Sequence, residues 1–204
     1  FVKSTGGNYT TIQAAINAAT AGDTIKIEGG TYQESLTIDR AVTLAAASGE
    51  TVTVKPESTG GAAITVDVDD SNSSVVLDGI DLDGTDGDGT TKTVSIGIDV
   101  ERNTDIASLE VKDATISGFQ DHAIFVSEKA YTDTNHRTLV DDLKVIGSTL
   151  ENNGDGSENN SQIKLYGFSG ALTVKDSSFS HNESDHSGAI TVHGAYAIQK
   201  DGTG

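Results

Sequence analysis

One eight-residue pattern recurs four times along the chain and leaves few folds open. It runs apolar, any, apolar, any, Asp or Gly, any, any, apolar. The copies are Val75-Val76-Leu77-Asp78-Gly79-Ile80-Asp81-Leu82, Leu109-Glu110-Val111-Lys112-Asp113-Ala114-Thr115-Ile116, Leu143-Lys144-Val145-Ile146-Gly147-Ser148-Thr149-Leu150 and Leu172-Thr173-Val174-Lys175-Asp176-Ser177-Ser178-Phe179. The register advances by 34, 34 and then 29 residues. Between copies lies a second alternation: Ile64/Val66, Ile98/Val100, Ile124/Val126, Ile163/Leu165 and Ile190/Val192.

A period of two places the listed apolar residues on one face of a strand. The Asp or Gly that follows suits a sharp corner. Two positions after the next apolar residue stand Gly84, Gly118, Asn152 and His181; Gly and Asn enter left-handed backbone readily. Each repeat therefore reads as strand, corner, strand, variable loop, strand. No such coil buries its inner row alone, so neighbours must stack. The expectation is an all-β chain, a right-handed parallel β-helix with one short N-terminal capping helix. The unequal spacings put insertions in the variable loop, around Asp83–Thr93, Glu128–Asp141 and Asn153–Ser161.

The first part of the chain is different. In Thr10–Ala19, Ile12, Ala15, Ile16 and Ala19 fall on one helical face, with Gly22 just beyond as a stop. Short strands are expected at Thr24–Ile27, Leu36–Ile38, Val42–Leu44 and Val52–Val54. A helix before the first coils would cover the open apolar end of a solenoid. Residues 1–55 thus read as cap and first strands, and 56–204 as repeat coils of one domain. With no signal sequence at Phe1-Val2-Lys3 and nothing closing the C-terminus, the expectation is a piece of a longer protein. An uncovered last coil is also expected to favour self-association through its edge.

The order Tyr9-Thr10-Thr11-Ile12-Gln13-Ala14-Ala15-Ile16, then Ala21-Gly22-Asp23-Thr24-Ile25-Lys26-Ile27, then Gly30-Thr31-Tyr32-Gln33-Glu34 resembles the entry of pectin-lyase-like β-helices, that of pectin methylesterases above all. Gly188–Val192 resembles the generic parallel β-helix repeat found in large bacterial surface proteins. The resemblance implies an extracellular or cell-surface location and a bacterial source. It does not carry a methylesterase site across. Gly118-Phe119-Gln120-Asp121 resembles one Gln-Asp motif of those enzymes, but the second Asp motif is missing from Gly147–Gly154. An Arg-Pro-Trp motif cannot occur in a chain without Trp whose one Pro is Pro56. Asp121-His122 resembles the site of bacterial alginate epimerases without its Pro or its preceding Tyr-Gly.

Composition excludes several functions. With 31 acidic and 13 basic residues the formal charge is −18, which opposes sequence-independent nucleic-acid binding and docking on anionic lipid. No stretch approaches the ~20 apolar residues of a membrane span, and the chain has no Cys for disulfides or thiol chemistry. Acidic composition does suit Ca²⁺, which prefers carboxylate and carbonyl oxygens. Asp81, Asp83, Asp86 and Asp88 crowd into a Gly-rich loop and are the Ca²⁺ candidates. The loop is not an EF-hand, since Lys92 stands where a bidentate Glu is required. The five His show no metal-ligand spacing.

The register also predicts which side chains stack outward on the third strand. One column is Thr65, Asp99, Phe125, Lys164 and Thr191; the next is Asp67, Glu101, Ser127, Tyr166 and His193. Sugar rings bind where an aromatic surface is flanked by hydrogen-bonding groups, so Asp99, Glu101, Phe125, Lys164, Tyr166 and His193 are the carbohydrate-binding candidates. Acid/base chemistry on a polysaccharide would draw on Asp121, His122, Lys164, Tyr166 and His193. The leading expectation is a non-catalytic module that contacts a polysaccharide or cell-surface glycan or acts in adhesion. The alternative is an esterase, lyase or epimerase acting on uronate-containing glycans.

Overall fold

A computed structural model describes residues 1–3, 7–57, 59–87, 89–102, 104–127, 140–155, 160–168, 170–182 and 188–193. Helix α1 (Ile12–Ala18) precedes six coils of three strands each. The first coil holds β1 (Asp23–Ile27), β2 (Gly30–Tyr32) and β3 (Leu36–Ile38); the second holds β4 (Val42–Ala46), β5 (Val52–Val54) and β6 (Ala62–Val66). The third has β7 (Asp69–Asp78), β8 (Ile80–Asp83) and β9 (Ile96–Val100), and the fourth β10 (Asp105–Lys112), β11 (Thr115–Ser117) and β12 (His122–Val126). The fifth has β13 (Val140–Ile146), β14 (Thr149–Glu151) and β15 (Ile163–Tyr166); β16 (Ala171–Lys175), β17 (Ser178–Ser180) and β18 (Ile190–His193) make the last.

Corresponding strands pair in parallel into three six-stranded sheets, which wind into a right-handed β-helix. Leu77, Val111 and Val145 stand in register on the first sheet, and Leu82, Ile116 and Leu150 on the second. All six are at most 1 % exposed, so the core is a stack of like residues along the helix axis. The repeat predicted this register without a shift.

The corners follow the predicted chemistry with one exchange. Gly79, Asp113, Gly147 and Asp176 take φ of 68°, 53°, 60° and 53°, so the Asp-or-Gly position is a column of left-handed residues. At the second corner Gly118, Asn152 and His181 are left-handed, whereas Gly84 is not. Gly84 serves close approach instead: a Cβ there would lie 2.6 Å from the Gly118 carbonyl oxygen.

The insertions occupy two corners. Residues 84–95 and 152–162 join the second sheet to the third, but the segment after Val126 joins the third sheet back to the first. Val140 and Asp141, expected in that loop, already belong to β13. Strand β2, which shows no alternation in sequence, was not foreseen; it spans three residues and pairs with β5.

The helix covers the first coil as expected. Thr11 caps it by accepting the Ala14 N–H, and the Glu34 carboxylate accepts the N–H groups of Ile12 and Gln13. Ile12, Ala15 and Ile16 are buried on the core. The Gln13 amide then mimics a neighbouring strand: it donates to the Thr37 carbonyl and accepts the Thr37 N–H at the edge of β3. Val2 adds a parallel bridge beside Ile27 on β1. The helix stops at Ala19, and Gly22, at φ 93°, turns the chain into β1 rather than ending the helix. At the other end Ile190 and Val192 are 38 % and 49 % exposed, while Ile163 and Leu165 one coil earlier are wholly buried.

Candidate functional site

The outer surface of the third sheet brings most of the predicted residues together. Thr65, Asp99, Phe125, Lys164 and Thr191 pair successively across β6, β9, β12, β15 and β18. Tyr166 pairs with His193 in the adjoining column; the His193 side chain lies outside the described residues. On β12 the inward positions are Ala123, Ile124 and Val126, all essentially unexposed. Two consecutive inward residues break the alternation, and this leaves His122 on the same outer side as Phe125.

The rings form a continuous run. His122 and Phe125 stack with centroids 5.4 Å apart and planes 17° from parallel. Phe125 meets Tyr166 edge-on at 5.8 Å and 76°, and the Lys164 ammonium lies 5.4 Å from the Tyr166 centroid. Such contacts are favourable because the ring face is electron-rich and its edge electron-poor.

Electrostatics divide the face. His122 is 7 % exposed, and its Nδ1 is 2.9 Å from the Ser161 carbonyl oxygen. Burial lowers its pKa to about 4; the Ser161 contact opposes the shift and the charge of Lys164 adds to it, so the imidazole is neutral at pH 7. Burial, then the neighbouring charge of Glu101, raises the Asp99 carboxyl to about 6. Asp99 Oδ1 is buried and has no hydrogen-bond partner among the described residues. Asp121 is also pushed upward, by burial and then by Asp155, against the opposing effects of Ser95 and Lys164. Beyond Glu101, Arg102 donates from Nε to the Ser127 hydroxyl at 3.2 Å.

Asp155, Ser95, Ser161 and Arg102 were not singled out from sequence. Ser161 was within reach, because the pairing of Ile124 with Ile163 sets it opposite His122. Asp155 and Ser95 sit in irregular corners where no register applies.

The acidic loop is arranged differently. Asp81 accepts the Thr115 N–H, and Asp83 is ion-paired with Lys55 at 2.8 Å while also accepting from Thr85. Asp86 accepts the Thr91 N–H, and Asp88 lies outside the described residues. Among the described residues no three His, Asp or Glu side chains converge as a metal site.

No protein-family model matches the chain, and no curated protein matches it.

Proposed function

We propose that this chain is a non-catalytic module of a secreted or surface-attached bacterial protein. In this reading it is a β-helix of the pectin-lyase-like kind that contacts polysaccharide through the outer surface of its third sheet. The observation that supports it is the run of His122, Phe125 and Tyr166, flanked by Asp99, Glu101 and Lys164. A rigid parallel sheet holds these groups at fixed spacing, which suits an extended polymer better than a single small molecule. Catalysis finds less support. The His122 imidazole is neutral and set against the Ser161 backbone, and acid/base work needs two titratable groups on one substrate atom.

Affinity electrophoresis of the whole chain through gels containing soluble polysaccharides, with and without Ca²⁺, tests this reading, with product analysis of the same polymers. Retardation without turnover, reduced at least tenfold by Phe125→Ala, is the expected result. Turnover abolished by Lys164→Ala or Asp121→Asn would overturn it in favour of a polysaccharide enzyme.

A further inference from the structure

Resting on that reading, we infer that the face takes a neutral polysaccharide and excludes polyuronates. Carboxylates adjoin the aromatic run: Asp99 pairs with Phe125 and feels the charge of Glu101, and Asp121, next to His122 in the chain, feels that of Asp155. Lys164 supplies positive charge within the face, but it lies over Tyr166 and already acts on Asp121. Arg102 is turned to Ser127, and His122 adds no charge. A polymer carrying a carboxylate on each ring would set like charges against four acids, in a chain whose formal charge is already −18.

Hydrogen-bond chemistry leads to the same ligand. Ionised Asp and Glu only accept, so they match hydroxyl donors. Neutral sugars present hydroxyls around the ring edge and C–H groups on its faces, which fit carboxylates beside aromatic rings. Asp99 is half-buried and Glu101 exposed, so hydroxyls of a neutral sugar can donate to these carboxylates, whereas the carboxylate of a uronate brings only more acceptors. The raised pKa of Asp99 reports the same resistance to added negative charge.

The test is affinity electrophoresis of the whole chain at pH 7 and low ionic strength, where unscreened charge counts most. The panel pairs neutral polymers (xyloglucan, galactomannan, dextran) with polygalacturonate and alginate, in EDTA and in Ca²⁺. Retardation by at least one neutral polymer is expected, lost at least tenfold in Phe125→Ala, with none by the polyuronates in either buffer. The double variant Asp99→Asn/Glu101→Gln is expected to weaken the neutral interaction and increase polyuronate retention. Circular dichroism of each variant checks the fold. Polyuronate retardation of the unaltered chain, with or without Ca²⁺, overturns the inference and leaves polysaccharide contact standing. Retardation by no polymer overturns the underlying reading itself.

Discussion

The imidazole of His122 lies on the ring of Phe125, with centroids 5.4 Å apart and planes 17° from parallel. The stack covers one face of the imidazole, and the Ser161 backbone occupies its Nδ1. A charged imidazolium would forfeit its water there, so the folded protein keeps His122 neutral down to about pH 4.

That depression sets an acid sensitivity. Between pH 6.5 and about 4 the unfolded chain binds a proton at His122 that the folded chain does not. This contribution to stability is complete above pH 6.5 and is lost as pH falls, to a limit on the order of 3 kcal/mol. His122→Phe keeps a ring on Phe125 and removes the titration. Urea unfolding of both proteins at pH 7 and pH 4.5 is expected to show the variant losing less stability on acidification. Equal losses would mean that the folded protein already accommodates the imidazolium.

Asp99 acts with the opposite sign in nearly the same window. Its folded pKa of about 6 lies above the ordinary 3.8, so the folded chain holds the extra proton. The cost of ionising Asp99 is absent below about pH 4 and grows as pH rises through 6. With allowance for partial solvent access it reaches roughly 1–2 kcal/mol at pH 7. Asp99→Asn is therefore expected to raise the urea midpoint at pH 7 and to lose that advantage near pH 4. A variant less stable than the parent at pH 7 would contradict the assignment.

The two residues also show what the sequence makes legible. Asp99 and Phe125 were placed in one outward column from spacing alone, because a solenoid converts repeat register directly into spatial neighbours. The environment of His122 was not foreseen. Strict alternation would have turned it inward with Ile124 and Val126, and the consecutive inward Ala123 and Ile124 reverse its side. In the acidic loop, spacing along the chain does not give the partners of each carboxylate. Asp81, Asp83 and Asp86 are close in sequence, but Asp81 and Asp83 reach across the strands to partners a coil away, Thr115 and Lys55, while Asp86 is taken by its own loop. Linear crowding of carboxylates reports local charge and not convergence.

Gly84 should tolerate no side chain. A Cβ would meet the Gly118 carbonyl oxygen and Phe119 Cδ1, each at 2.6 Å, and neither backbone nor a fully buried ring can move aside cheaply. Gly84→Ala is expected to cost about 1–3 kcal/mol. Gly87→Ala, three residues on, meets nothing within 4 Å and is expected to be neutral or to gain a few tenths of a kcal/mol. Paired thermal melts separate the two, and equal midpoints would refute the close-approach role of Gly84.

Asn153 is the residue whose loss should damage the coil stack most per atom removed. It is wholly buried, its Oδ1 accepts the Phe119 N–H at 3.1 Å, and its Nδ2 donates to the Ile116 carbonyl and to Gln162 Oε1 at 3.0 and 2.7 Å. The amide thus satisfies one donor and two acceptors that no water reaches. Asn182 repeats part of this one coil later, accepting the Asn153 N–H and donating to the Leu150 carbonyl, but it is partly exposed. Truncating a buried partner leaves the full desolvation penalty of each orphaned group, whereas an exposed site lets water substitute. Asn153→Ala is therefore expected to cost about 2–4 kcal/mol and Asn182→Ala about 1 kcal/mol, read from urea midpoints. Asn153→Asp distinguishes polar satisfaction from simple cavity formation. It keeps the volume and the acceptor for Phe119 but sets a carboxylate against two other acceptors, so it should be at least as damaging as Ala. A mild Asp variant beside a severe Ala variant would show that Asn153 fills space and that its hydrogen bonds contribute little.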